Sequence, residues 1–460
     1  FTIANHREIL PDPPSVFMTT LIADGSPQLF DYYRRFDPTL STDRDFIEVF
    51  DGRPLINLSL MVDFMRSLGL PTRLVTDSIG GSDEAGTGLR PSRTVRRLPV
   101  LARLGIAQAG ALRFADDMAA TMALDNATST ATFAEAVDRA TTDYVATVHA
   151  MTALNTAASL PTSLLRSLGV LEEHAARNET AATQMFRELD IVRRTLPDTA
   201  LDAPLDPATF GPTSRAAWER WLGAHGHRGI YESDLSRPRY VEEPAPVLSS
   251  LRSTLDARTP PPRSLLGLLT LPLWLAARRP MTARERFRSE SMKSFLAVRR
   301  ELLRHAERAG IAPDALWLLT TDEVRRLDDG WRPDDALLAE RRADTERRRR
   351  APIPDVISRF DPPDDDVRSG HDEEPRTEFH GIGLVAADAE GDAWVLNEPA
   401  HELPDGFDPA TTILVAPSVD PGWLSTFGLV SGVAIEIGGD LSHGSIVLRE
   451  LGLPAVTNAR

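Results

Sequence analysis

The feature that most constrains the fold is a change of hydrophobic period near residue 361. Before it, apolar residues recur every three or four positions, a spacing that predicts amphipathic helices. After it, short apolar runs alternate with Gly, Pro and Asp, as strands separated by turns do. Between them lies DPPDDDVRSGHDEEPR (361–376), whose prolines and clustered acids cannot build a core. The sequence therefore predicts a large, mostly α-helical domain (1–360), an acidic flexible linker (361–378) and a small α/β domain (379–460).

In the first domain, residues 1–23 are expected to form a Pro-rich, extended entry followed by an apolar run, and the helical pattern is expected to begin at about residue 25. PLINLSLMVDFMRSLGL repeats apolar residues at i, i+3 and i+4 and ends on Gly and Pro, which stop a helix. Further helices are predicted over 108–125, 131–155, 162–196, 213–225, 245–256 and 281–309. LLGLLTLPLWLAA (265–277) is too short and too interrupted by proline to cross a bilayer, so a buried or amphipathic segment is expected.

In the small domain, strands are predicted in GIGLVAA, DAWVLN, TTILVAP and GVAIEIGG. A helix over 443–451 and the segment LPAV follow the last of them. This order of elements predicts a β/β/α unit of mixed secondary structure.

Charge and composition exclude several classes of function. The net charge of −16 disfavours nucleic-acid binding unless basic residues cluster. One basic run, RRADTERRRR (341–350), is better explained as a solvated helix face than as a site for a polyanion, although both interpretations remain open. The absence of cysteine excludes disulfides and thiolate ligands, and no metal site is predicted. A cytoplasmic location is expected, without a membrane partner.

One histidine in the small domain has a setting that suits phosphate chemistry. Gly438 and Gly439 let the backbone approach a ligand closely, and Ser442 and His443 stand where a helix begins. The free N–H groups and partial positive charge of a helix N-terminus suit an anion, and a neutral imidazole is a competent nucleophile. The same spacing also fits a simpler arrangement in which Ser442 caps the helix and His443 has no chemical role.

Residues 415–456, which include DPGW, LSHG and GLPAV, resemble the swivelling phosphohistidine domain of the PEP-utilising family. Within that family the resemblance is closest to rifampin phosphotransferase-like proteins. It implies that His443 carries the phosphate and that Arg449 and Glu450 occupy the family's Arg-Glu pair. VAA (385–387) stands where the family has a Ser-Pro-Gly turn, so this region is expected to pack differently.

The helical domain resembles the substrate domain of the same proteins. The resemblance rests on ILPDPPS, on GHRG and DLSRPRYVEEP with Glu232 between them, and on RERFRSESMKSFLAVRREL (284–302). It implies that Arg228 and Glu232 contact substrate or phosphate. His227 is either a general base for a substrate hydroxyl or a structural residue of the GHRG turn.

Three cations on the 284–302 segment are candidates for binding phosphate. Arg284 and Arg288 are four residues apart and share a helix face, with Lys293, the only lysine in these 460 residues, on an adjoining stripe. Cations facing one cleft would neutralise a phosphoryl group during transfer. The alternative is a solvated basic face paired with Glu285 and Glu290. The resemblance favours the phosphate site.

The family normally charges its histidine through an ATP-grasp domain, for which this sequence shows no region and no phosphate-binding loop of the GxxxxGK[ST] type. We therefore expect no cofactor on this chain alone, with ATP and Mg²⁺ entering through a separate ATP-grasp subunit. The predicted function is the substrate-binding and phosphohistidine part of a phosphotransferase that acts on a hydroxyl of a hydrophobic small molecule, such as a natural product. Elimination of that phosphate would make the outcome a dehydration. The alternatives are a ligand-binding or scaffold protein with an idle histidine, and a phosphate-independent enzyme.

Overall fold

The computed structural model describes most of the helical region and the core of the small domain. The described residues are 10–37, 45–72, 90–126, 128–175, 177–178, 181–197, 205–251, 264–351, 357, 378–379, 381–385, 387–397, 407–417, 419, 423–436, 443–457 and 459. Residues 361–377 of the predicted linker lie outside them.

The larger part of the described structure is helical. Its helices are Val16–Leu29 (α1), Asp31–Arg34 (α2), Leu58–Leu68 (α3), Pro91–Arg96 (α4), Leu98–Asn126 (α5), Phe133–Ser167 (α6), Leu171–Ala175 (α7), Ala181–Arg193 (α8), Pro212–His225 (α9), Ala245–Ser250 (α10), Leu265–Leu269 (α11), Leu271–Ala309 (α12), Pro313–Leu316 (α13), Thr321–Arg326 (α14) and Asp335–Arg350 (α15).

The long helices α5, α6 and α12 contact one another and form the centre of this part. On α12, Phe295, Val298 and Leu302 are buried at helical spacing, so one stripe of the helix faces the core that α1 and α6 complete. The helix ends at Gly310, whose positive φ of 70° suits a C-terminal cap. Burial of this stripe fixes the rotation of α12 and hence the direction in which its polar residues point.

Two elements differ from the predicted helical pattern near the start of the chain. The helical pattern begins earlier than the predicted position near residue 25, because Ser15 accepts a hydrogen bond from the Met18 N–H and caps α1 at Val16. The strands Ile47–Phe50 (β1) and Arg53–Ile56 (β2) form an antiparallel hairpin inside a region predicted to be helical.

Proline also proved a weaker helix boundary than predicted. The expected break between 155 and 162 is absent, since α6 continues through Pro161 to Ser167. Likewise α12 begins at Leu271 and continues through Pro280. Both helices are held on several sides by their neighbours, and this packing outweighs the cost of a lost backbone hydrogen bond.

The small domain is built on a five-stranded sheet, which confirms the predicted fold class. Its elements are Ile382–Gly383 (β3), Asp392–Val395 (β4), Thr412–Ala416 (β5), Leu424–Phe427 (α16), Gly432–Ile435 (β6), His443–Leu451 (α17) and Ala455–Thr457 (β7). The strands lie in the order β3-β7-β6-β5-β4 and are parallel except for β3, which pairs antiparallel with β7 at one edge.

The small domain shares a hydrophobic cluster with the helical part. Helix α16 contacts α10, and α17 contacts α7 and α8. The cluster includes Trp218, Trp221, Val247 and Leu248 from the helices and Leu414, Trp423, Phe427 and Ile435 from the small domain. Val447 and Leu448 of α17 belong to the same cluster, so apolar side chains pack this helix against the helical part.

The segment around α11 is amphipathic, one of the two arrangements predicted for it. Trp274 is buried, whereas Leu265 is 75% exposed. Within the described ranges, no helix is long and apolar enough to span a bilayer. The basic run lies on α15, where its arginines pair with acids, among them Arg341 with Glu323.

Candidate functional site

The centre of the candidate site is a buried carboxylate between the GHRG loop and α12. Glu232 is 0% exposed and accepts hydrogen bonds from Arg228 Nε at 2.6 Å and Nη2 at 2.8 Å. Arg288 on α12 donates its Nε–H to the same carboxylate at 3.1 Å. A buried charge needs such partners, because an unpaired ion in the interior costs several kcal/mol.

The two guanidinium groups keep Glu232 ionised. Burial alone would raise the pKa of its carboxyl, but the positive charges of Arg228 and Arg288 outweigh burial and lower the pKa to about 2. The structure therefore brings together three of the predicted site residues as a charge cluster with one anion and two cations.

The loop that carries Glu232 is fixed by arginines that the sequence analysis did not single out. Arg239 donates to the Glu232 carbonyl at 2.8 Å, and Arg299 of α12 donates to the Leu235 carbonyl at 2.6 Å and to Glu242 at 2.9 Å. Gly229 has no room for a side chain, since a Cβ would lie 2.7 Å from the Pro238 carbonyl oxygen. These contacts hold the loop on α12.

His227 lies at the edge of this cluster and is 7% exposed. Its Nε2 is 2.9 Å from Ser289 Oγ on α12. Burial, together with the positive charges of Arg228 and Lys293, lowers the pKa of His227 to about 3, and the negative charge of Glu232 offsets this only in part. The imidazole is therefore neutral at pH 7 and has one ring nitrogen able to accept a proton.

The three predicted cations of α12 have different surroundings. Arg284 is buried and contacts Glu285 at 2.9 Å and Asn155 of α6 at 2.9 Å. Lys293 is 48% exposed and pairs with Glu290 at 2.8 Å. The ion pairs with Glu285 and Glu290 that a solvated basic face would require are thus present. However, Arg284 and Glu285 are buried rather than solvated.

Arg288 retains hydrogen-bonding capacity. Its Nη2 is buried and has no hydrogen-bond partner within the part of the chain that the structure describes. A buried guanidinium nitrogen of this kind can donate to an anion such as a phosphoryl oxygen. Among the predicted cations, Arg288 therefore has a buried donor atom without a hydrogen-bond partner in the described part of the chain.

In the small domain, His443 is the first residue of α17, as predicted. Gly438, Gly439 and Ser442 lie outside the described residues, and Arg449 is buried on the same helix. Gly444 has no space for a side chain, because a Cβ would lie 2.9 Å from the Val419 carbonyl oxygen. The residue after His443 must therefore be small for the segment at Val419 to approach the start of the helix.

The described residues contain no group of three His, Asp or Glu side chains arranged to hold a metal ion. A groove of about 650 Å³ lies elsewhere on the helical part, between α1, α5, α6 and α14. Its lining includes Asp24, Asp138, His149 and Arg325, and none of the predicted site residues.

Models of known protein families match one segment of the helical part and one segment of the small domain. Residues 408–460 match the family described as PEP-utilising enzyme, mobile domain. Residues 121–267 match the fourth domain of rifampicin phosphotransferase. The first match contains His443 and the second contains His227, Arg228 and Glu232.

Several curated proteins are similar over part of the chain. An uncharacterized protein of Mycobacterium tuberculosis is 30% identical over 246 residues, which are 51% of this chain and 27% of that protein. The rifampicin phosphotransferase of Streptomyces sviceus is 26% identical over 279 residues, 54% of this chain and 32% of that enzyme. The prodigiosin synthesizing transferase PigC of Serratia marcescens is 46% identical over 48 residues, 10% of this chain and 5% of that protein.

The chain spans about a third or less of the length of these relatives. One matched segment lies within the helical part and contains Arg228 and Glu232 of the charge cluster, whereas Arg288 lies outside it, and the other covers most of the small sheet domain with His443. Over these two segments, the chain is similar to PEP-utilising enzymes and to rifampicin phosphotransferase.

Proposed function

We propose that this chain is the substrate-binding and phosphate-carrying part of a phosphotransferase, with His443 as the carrier. The observation that supports this most strongly is the position of His443 at the N-terminus of α17, within the segment that matches the mobile domain. The free N–H groups at the start of a helix favour negative charge, so a residue at this position suits a phosphate carrier.

The acceptor side of the reaction is assigned to the cluster around Glu232. A substrate hydroxyl next to His227 would lose its proton to the neutral imidazole as the oxygen attacks phosphorus. The P–N bond of the phosphohistidine breaks, the new O–P bond forms, and the electron pair returns to the His443 ring. The unused Nη2 of Arg288 would donate to the phosphoryl oxygens, while the Arg228–Glu232–Arg288 pairs hold that guanidinium in place.

The low pKa of His227 is compatible with this role. A phosphoryl group brings negative charge close to the imidazole, and a nearby anion raises the pKa of a histidine. His227 would therefore become more basic only when the phosphate arrives, so that proton transfer accompanies the attack.

The acceptor is proposed to be a hydrophobic molecule with a free hydroxyl group. Two relatives support this, because their names refer to rifampicin and to the synthesis of prodigiosin. Charging of His443 is assigned to an ATP-grasp partner that binds ATP and Mg²⁺, located in the cytoplasm with this chain. Phosphate on the acceptor is either the end product or a leaving group for dehydration.

The test is to incubate the chain with labelled ATP and a candidate ATP-grasp partner, and to compare His443→Ala. Label on the wild-type chain that is absent from the variant supports the proposal. The matched control is His225→Ala, because His225 lies on α9 and pairs with Glu188 at 2.8 Å rather than with the charge cluster. Equal acceptor turnover by wild type and His443→Ala would instead support an idle histidine on a scaffold or a phosphate-independent enzyme.

A further inference from the structure

Ser289 is a hydroxyl in the candidate site that the matched sequence motifs do not assign. It lies on α12 between Arg288 and Glu290 and is half-buried, so one side of it is open to solvent. Its Oγ is 2.9 Å from Nε2 of His227. A hydroxyl this close to a neutral imidazole has the arrangement of an activated nucleophile, in which the ring accepts the proton as the oxygen attacks.

The charges around Ser289 suit a phosphate ester. Lys293 follows Ser289 by four residues on the same helix, so both side chains lie on one face. The Lys293 charge also acts on His227, and the ammonium itself pairs with Glu290 at 2.8 Å. A phosphate on Ser289 would therefore lie between two groups that can be cationic, Lys293 and protonated His227.

We propose that Ser289 is itself a phosphoryl acceptor, which receives the phosphate of phosphorylated His443 while His227 takes the hydroxyl proton. This rests on the proposed function, since His443 is the donor. The P–N bond to His443 breaks and its electron pair returns to that ring, while a P–O bond to Ser289 Oγ forms. The proton released from Ser289 moves to Nε2 of His227, and the new phosphate stabilises the resulting imidazolium.

Transfer to Ser289 would compete with transfer to the small molecule. Ser289 Oγ already occupies a position from which a hydroxyl contacts the proposed base. A phosphate there would also hold Lys293 and His227 by its charge. Self-phosphorylation would thus close the site when no acceptor is bound.

The experiment uses the full chain and potassium phosphoramidate, a reagent that phosphorylates histidine without ATP or a partner protein. Phosphohistidine is lost in acid whereas phosphoserine survives, so acid treatment separates the two products. Trypsin releases residues 289–293 as one peptide, and fragmentation distinguishes Ser289 from Ser291. Ser291→Ala is the matched control, because that hydroxyl is buried and donates to the Arg288 carbonyl.

In the wild type and in Ser291→Ala, acid-labile phosphate on His443 should appear first and acid-stable phosphate on Ser289 later. Ser289→Ala should keep the first and lose the second. His227→Gln, which retains a polar side chain, should slow the second about 100-fold or more. The His443→Ala variant should carry no phosphate at position 443 and no acid-stable phosphate on Ser289.

Three results would count against the inference, and they differ in what else they affect. Phosphate on His443 with none on Ser289 overturns the inference and leaves the proposed function intact. Acid-stable phosphate on Ser289 in His443→Ala shows direct reaction with the reagent and overturns the relay. No phosphate on His443 in the wild type overturns both proposals.

Discussion

Replacing Glu232 by glutamine tests whether the buried charge cluster holds the helical part together. Glutamine has nearly the shape of the protonated acid, so the substitution removes the negative charge and keeps most of the packing. Two buried guanidinium groups, Arg228 and Arg288, would then lack their counter-charge. The substitution should therefore be strongly destabilising at neutral pH.

The size of the effect follows from the pKa of the Glu232 carboxyl. This pKa is lowered from 4.5 to about 2, and each tenfold change in proton affinity corresponds to about 1.4 kcal/mol. The charge of Glu232 therefore contributes about 3 kcal/mol to the free energy of unfolding, with no reduction for solvent because the group is 0% exposed. This lies within the range for breaking buried ion pairs, roughly 3–5 kcal/mol.

The assay is urea unfolding followed by far-UV circular dichroism, with Glu290→Gln as the control. Glu290 also pairs with a cation of α12, but its side chain is 44% exposed, so its loss should cost at most about 0.5 kcal/mol. Because the pKa of Glu232 is depressed, its contribution is complete above about pH 4.5 and falls as the pH drops toward 2. The difference in free energy of unfolding between wild type and Glu232→Gln should therefore become smaller as the pH falls from about 4.5 to 2. A loss no greater than that of Glu290→Gln would refute the reasoning.

Two further predictions concern other buried or capping groups. Burial raises the pKa of the Asp143 carboxyl from 3.8 to about 6, although the hydrogen bond from the Ser294 hydroxyl opposes this shift. The contribution of Asp143 to the free energy of unfolding is therefore complete below about pH 4 and is lost as the pH rises through 6. Between pH 4 and pH 7.5 the free energy of unfolding of the wild type should therefore fall by about 3 kcal/mol more than that of Asp143→Asn. Urea unfolding curves that give the same change for both proteins would contradict this prediction. Thr320→Ala should cost about 1 kcal/mol, because the Thr320 hydroxyl caps α14 in a reciprocal box with Glu323. Thermal melts that show no loss for this variant would count against the cap.

The elements best predicted from the sequence are those whose boundaries are set by local residues. The helix expected over 213–225 occurs as Pro212–His225, because Gly211 and Pro212 start it and Gly226 ends it. The β1–β2 hairpin was not predicted, because Glu48 and Pro54 obscure the alternation of apolar and polar residues in its two strands. Its signal was Asp51-Gly52, whose positive φ values of 44° and 71° form the two-residue turn that such a pair favours.

The candidate site was less predictable, because its partners come from distant positions. Helical spacing placed Arg284 and Arg288 on one face but could not show that they bind different groups. Arg288 meets Glu232 across 56 residues, and this pairing depends on how the 226–244 loop lies on α12. A useful signal was the density of arginines in that loop, since buried arginines often fix loop carbonyls through several hydrogen bonds.

The exposure of Lys293 has a practical consequence. It is the only lysine in these 460 residues, half of its side chain faces solvent, and its charge reaches His227. Among these 460 residues, an amine-reactive fluorophore should therefore attach to one side chain, at the edge of the candidate site, in addition to the α-amino group. Such a dye would report acceptor binding or phosphorylation as a change in emission, without any engineered residue.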